Sequence, residues 1–78
     1  MLAAALEHLV KGIVDHPEDA VVTKRNTSRG ELLEVVVHPE DLGRVIGRSG
    51  RTANALRTVI KALADGKSIR VDVVKTDF

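Results

Sequence analysis

Val45-Ile46-Gly47-Arg48-Ser49-Gly50-Arg51-Thr52 is the stretch of this 78-residue chain whose residue types and spacing carry the most chemistry. Two glycines stand three residues apart with an arginine between them, aliphatic residues in front and a helix-like pattern behind. Glycine at both ends lets the backbone turn tightly and approach another backbone with no Cβ in the way. If a helix opens there, the amides of Ser49, Gly50 and Arg51 are unpaired donors at the positive end of its dipole, a setting that favours anionic oxygen. Arg48 and Arg51 add charge-assisted contacts. The chemistry is that of gripping a phosphate chain.

The spacing alone says little. At about 7% glycine, a chain of this length holds roughly 0.4 such pairs by chance. Context raises the signal. Arg44, Arg48, Arg51, Arg57 and Lys61 fall between residues 44 and 61 without one acidic residue. That segment carries +5, so the rest of the chain nets −4, the difference from the total of +1. Such asymmetry is the footprint of a polyanion partner. The plainer alternative makes Gly47 a helix cap, Gly50 a packing glycine and the cations a solvated face.

Other chemistries find no support. The chain has no cysteine, hence no disulfide and no thiolate metal site. His8, His16 and His38 are scattered, so neither a metal nor another cofactor is expected. No nucleophile–base set or spaced carboxylate pair suggests catalysis, and G-x-x-x-x-G-K-[ST] is absent. Phe78 is the lone aromatic residue, which excludes a single-strand binder built on stacked rings. Glu7 interrupts the apolar start, and no run approaches the roughly 18 apolar residues of a membrane span. The expected compartment is the cytoplasm, with no membrane and no small-molecule substrate.

These residues need elements to position them. Leu2, Leu6, Leu9, Val10 and Ile13 repeat at helical spacing and predict a helix over about 2–14, ended by Pro17. Residues 20–24 and 32–37 read as the strands of an antiparallel hairpin with a polar, flexible tip at 25–30. Pro39 opens a short second helix, with Glu40 and Asp41 complementing its dipole and Leu42, Val45 and Ile46 on its apolar side. Gly47 stops it. Ala53, Leu56, Val59, Ile60 and Leu63 give a third helix to about Ala64, capped at Gly66. Ile69, Val71 and Val73 alternate with Arg70 and Asp72 in a half-buried strand over 68–75. The predicted class is α+β, three helices on one face of a three-stranded sheet. One domain accounts for residues 1–78. His-Pro-Glu-Asp occurs at 16–19 and again at 38–41, but one copy leads into a strand and the other into a helix, so the repetition reads as coincidence.

Residues 45–52 closely resemble the signature of KH domains, and the helix-first order is similar to the type II variant, α-β-β-α-α-β. The resemblance covers essentially the whole chain. The nearest likeness is to the small bacterial single-KH RNA-binding proteins, through the His-Pro-Glu-Asp-Leu-Gly lead-in and the helix from Arg51 to Thr58. Ala53 departs from the bulky aliphatic residue that many KH domains carry there. The resemblance implies a non-enzymatic protein whose loop clamps about four single-stranded nucleotides of RNA, in post-transcriptional regulation or RNA chaperoning. Gly47, Arg48, Ser49, Gly50 and Arg51 would grip phosphates, with Arg44 and Arg57 extending the positive field. Val45 and Ile46 would line the floor, and the strand around Val35 and Val37 the opposite wall. Lys24, Arg25 and Arg29 at the hairpin tip could add positive surface. The resemblance also implies a homodimer, a heterodimer with a larger KH-domain protein, or both. The alternative is a protein–protein adaptor that keeps the fold with little RNA affinity.

Overall fold

The computed structural model describes residues 1–74, in the order helix, strand, strand, helix, helix, strand. α1 spans Leu2–Lys11. Leu6 and Val10 carry its buried side, with Leu2 and Ile13 packed alongside and Leu9 partly exposed. The helix stops three residues short of the predicted end. Gly12 weakens it, and Pro17 disfavours helical backbone at His16, which sits at φ −119° and ψ 68°. Val14 still reaches the core through a tight turn in which the Ile13 and Val14 amides both donate to the Val10 carbonyl (3.0 and 3.2 Å).

β1 (Val21–Thr27) and β2 (Gly30–Val36) pair antiparallel from Val21↔Val36 to Thr27↔Gly30. The predicted flexible tip at 25–30 is therefore mostly strand, with only Ser28 and Arg29 in the loop. Side chains close that turn. The Thr27 hydroxyl donates to the Gly30 carbonyl (2.8 Å) and accepts the Arg29 amide (3.2 Å), and the Ser68 hydroxyl donates to the Arg29 carbonyl (2.7 Å). β3 (Ile69–Val73) lies parallel on the other side of β2, from Glu31↔Ile69 to Val35↔Val73. β2 is thus the central strand, and Leu33 and Val35 on it are fully buried. The alternation predicted for β3 holds, although Lys75 of the predicted strand and the aromatic Phe78 lie outside the described residues.

α1 packs on β1 and α3 (Arg51–Ala64) on β3, and the two helices touch. α2 (Leu42–Ile46) rests on α3 and sends Val45 into the core. A helix on a sheet buries one stripe. In α3 that stripe is Ala53, Leu56, Ile60 and Ala64, whereas Val59 and Leu63, which belong to the same helical repeat, are 44% and 56% exposed. Leu6, Leu33 and Ile60 are the largest fully buried side chains, each contributing roughly 1.5–3 kcal/mol. They hold α1 and α3 against the sheet. This is the α+β architecture of a type II KH domain. No helix among the described residues is long and apolar enough to cross a membrane.

Candidate nucleic-acid interface

α2 ends where Gly47 takes φ 75° and ψ 171°. Ser49 (φ 57°, ψ 26°) and Gly50 (φ 77°, ψ 13°) are both left-handed, which reverses the chain into α3. The Gly47 amide donates back to Gly43 (2.9 Å), the Gly50 amide to Gly47 (3.1 Å) and the Arg51 amide to Arg48. The amides of Gly50 and Arg51, expected to be open donors, are therefore spent on closing the turn. The side chains of Arg48, Ser49 and Arg51 are exposed around this closed turn, and Ile46, Gly47 and Gly50 are half-buried. The loop thus presents a hydroxyl and two guanidinium groups on one protrusion.

The other candidates lie differently. Val45 and Val37 are 0% and 3% exposed, and Val35 is also fully buried. They belong to the core beneath the loop and offer no lining surface, because each faces inward with Leu33 and Leu6. Arg44 forms an exposed ion pair with Asp15 (3.3 Å). Such pairs are worth about 0–1 kcal/mol, so a phosphate can displace the carboxylate. At the hairpin Lys24 pairs with Glu31 (3.5 Å) and Arg25 with Glu34 (2.7 Å), which removes most of the positive surface expected there.

Arg57 does structural work. Its Nε donates to the Val71 carbonyl (3.0 Å) and its Nη1 to Asn54 Oδ1 (2.9 Å), tying the start of α3 to the open edge of β3. With Lys61, Arg70, Val71 and Asp72 it lines a shallow depression of about 250 Å³. Sequence reasoning missed Arg70 here, since period two places it outside the sheet core without saying what stands beside it.

A second missed residue is Asp41, which is 1% exposed. Its carboxylate accepts the amides of Asp15 (3.2 Å) and His16 (2.9 Å) and the His16 Nδ1 proton (3.0 Å). The connection after α1 is thereby stapled to the start of α2, which sets how α2 enters the loop. Burial alone would raise the Asp41 carboxyl, but the Asp15 amide and the His16 ring and amide outweigh it and hold it below the ordinary 3.8. The hydrogen bond to Asp41 in turn raises His16 above 6.5, against the effect of burial. A lowered acid stabilises the fold above its unfolded value and loses that contribution as pH falls. A raised imidazole stabilises below its unfolded value and loses that contribution as pH rises. The pair therefore contributes most between about pH 4 and 6.5. Asp41→Ala strands two amides and will lower the melting temperature by on the order of 10 °C. Asp41→Asn will flatten the pH dependence of melting, as measured by circular dichroism.

A family model described as "KhpA/KhpB, KH domain" matches residues 3–74. The chain belongs to that family. Among KhpA/KhpB relatives, a protein of Leifsonia xyli subsp. xyli named RNA-binding protein KhpA is 70% identical over 95% of this chain and 97% of its own. One from Streptomyces coelicolor with the same name is 64% identical over 99% and 96%. Another, from Halalkalibacterium halodurans, is 41% identical over 88% and 93%. These relatives are named as binding proteins and not as enzymes. No solved structure gives a significant match.

Proposed function

We propose that this chain is a non-enzymatic RNA-binding protein that grips the backbone of about four single-stranded nucleotides with the Gly47–Gly50 loop. The observation that carries the reading is the left-handed turn at Ser49 and Gly50, which sets Arg48, Ser49 and Arg51 exposed together on one loop. The names of the relatives supply RNA as the polyanion. Phosphates hold the strand, Ile46 offers a half-buried aliphatic contact, and the Arg57–Lys61–Arg70 edge extends the positive track. With no aromatic residue among the described ones, base reading is slight and binding is steeply salt-dependent. Post-transcriptional regulation or RNA chaperoning suits such a weakly selective grip. A mobility-shift titration of the Arg48→Asp/Ser49→Asp protein with single-stranded RNA tests the reading, and unchanged binding would sink it.

A second reading, assembly through the helices, is favoured by Val59 and Leu63, one turn apart and exposed on α3. Leu63 also lines a mainly apolar hollow with Met1, Leu2 and Ala5. The occupant we propose is a second copy of this chain or the matching face of a larger KH-domain protein. Pairing would also strengthen a weak single groove by linking two of them. Leu63→Asp is expected to leave the circular dichroism spectrum unchanged and reduce the mass in light scattering from dimer to monomer. A wild-type monomer at high concentration would remove the self-association reading. A dimer without measurable RNA affinity would favour the adaptor reading instead.

A further inference from the structure

The two His-Pro-Glu-Asp copies are not independent in space. Residues 17–19 and 39–41 each form one 3₁₀ turn with the histidine as its N-cap residue. The fold then stacks His16 on His38, with ring centroids 4.1 Å apart and planes 17° from parallel. One nitrogen from each ring and a carboxylate oxygen of Glu40 lie within 4.8 Å of one another. Histidines that are scattered along the sequence are thus a cluster in the fold.

We propose that His16, His38 and Glu40 bind a transition-metal ion of the zinc type, with water completing the coordination. His16 is already arranged as a ligand. Its Nδ1–H donates to Asp41, which fixes the tautomer and leaves the Nε2 lone pair open. A buried carboxylate behind a histidine is the outer support that metal-bound imidazoles use. The Nδ1 lone pair of His38 accepts only the solvent-exposed amide of Glu40 (3.1 Å), a bond that water can replace when the ring coordinates. Glu40 itself is exposed and free to swing. Ligands around a tetrahedral ion at about 2.0–2.2 Å stand roughly 3.3–3.6 Å apart, so the three atoms need to close by about 1.5 Å or less. Rotation of the exposed Glu40, and of the half-buried His38 ring out of its stack on His16, supplies that.

Charge and donor type narrow the ligand. Glu18, Glu40 and Asp41 all face His16 and favour a cation over a phosphate. Two imidazoles and one carboxylate suit zinc, nickel or copper, whereas magnesium and calcium prefer all-oxygen sets. The plain alternative is that two rings merely stack over a structural aspartate. The two readings differ in consequence. A metal would clip the linker after α1 to the linker before α2, restraining the approach to the glycine loop without touching RNA.

The test uses the untagged full chain titrated with zinc chloride near neutral pH, followed by calorimetry and thermal melting. Saturation at one ion per chain is expected, with a rise in melting temperature. His38→Ala and Glu40→Gln should each weaken binding by at least the roughly 10–100-fold that loss of even an outer partner causes. His8→Ala should leave it unchanged. Should His38→Ala fail to fold, the histidine ring ¹⁵N shifts of the wild type decide. Zinc must move those of His16 and His38 and spare His8. No saturable binding, binding unaffected by the folded His38→Ala and Glu40→Gln proteins, or shifts centred on His8 would each overturn the proposal.

Discussion

Replacing Arg48 and Ser49 together with aspartate is expected to abolish single-stranded RNA binding while leaving the fold intact. Both side chains are exposed, so the core loses nothing. Ser49 sits at φ 57°, and aspartate is among the few non-glycine residues that tolerate this left-handed region. Electrostatics change sharply. The two substitutions shift the charge by −2 and −1, taking the 44–61 segment from +5 to +2. They also place two carboxylates at the exposed tip of the loop, beside Arg51. Loss of charge-assisted contacts plus like-charge repulsion should weaken affinity by at least about 100-fold, or roughly 2.7 kcal/mol. A mobility shift at low salt reads this, with circular dichroism as the folding control. In the wild type, log affinity should fall with log salt by about 0.7 per phosphate held. If the double variant binds within about tenfold of wild type, the strand is held elsewhere, with the Arg57–Lys61–Arg70 edge the first place to look.

The residues that were legible in the sequence share a physical character: each obeys a local rule. Ile69 and Val71 alternate with Arg70 and Asp72 because one face of β3 is buried, and period two records that directly. Gly47 and Gly50 announce a turn because their backbone angles need glycine, whatever lies around them. What was not legible depends on residues far apart in the chain. The Asp41–His16 contact spans 25 positions, and nothing in either copy of His-Pro-Glu-Asp says that the two turns meet. Arg57 reads as one more cation of a basic helix until the Val71 carbonyl, 14 residues on, is found beneath it. Val45 and Val37 show the opposite error. Aliphatic residues beside a loop can be floor or core, and only their burial among Leu6 and Leu33 in the folded chain decides that they are core. Val59 and Leu63 mark the helix that forms, but a four-residue spacing does not say which side of it the sheet takes, and both stay exposed.

The second large effect separates the two glycines, which the G-x-x-G pattern treats as equals. Gly47→Ala should destabilise the protein by about 2–4 kcal/mol and abolish RNA binding, whereas Gly50→Ala should cost only about 1–2 kcal/mol. At φ 75° and ψ 171° Gly47 occupies a region essentially closed to other residues. A Cβ there would collide with the Thr52 hydroxyl and stand 2.8 Å from both the Thr52 Cβ and its backbone nitrogen. Rotating Thr52 relieves the hydroxyl contact but not the contact with the nitrogen, which belongs to the first turn of α3. That turn would have to unwind, and with it the bond from the Gly50 amide to the Gly47 carbonyl that shapes the loop. Gly50, at φ 77° and ψ 13°, is in the ordinary left-handed region, and a Cβ there meets nothing closer than the Asn54 amide nitrogen at 4.0 Å. Melting curves and RNA titrations on the two single variants give the comparison. Adding Thr52→Ala to Gly47→Ala should recover part of the stability, because it removes the hydroxyl clash and leaves the backbone contact in place. Equal losses at the two glycines would mean that turn flexibility matters, and not the close approach of Gly47 to α3.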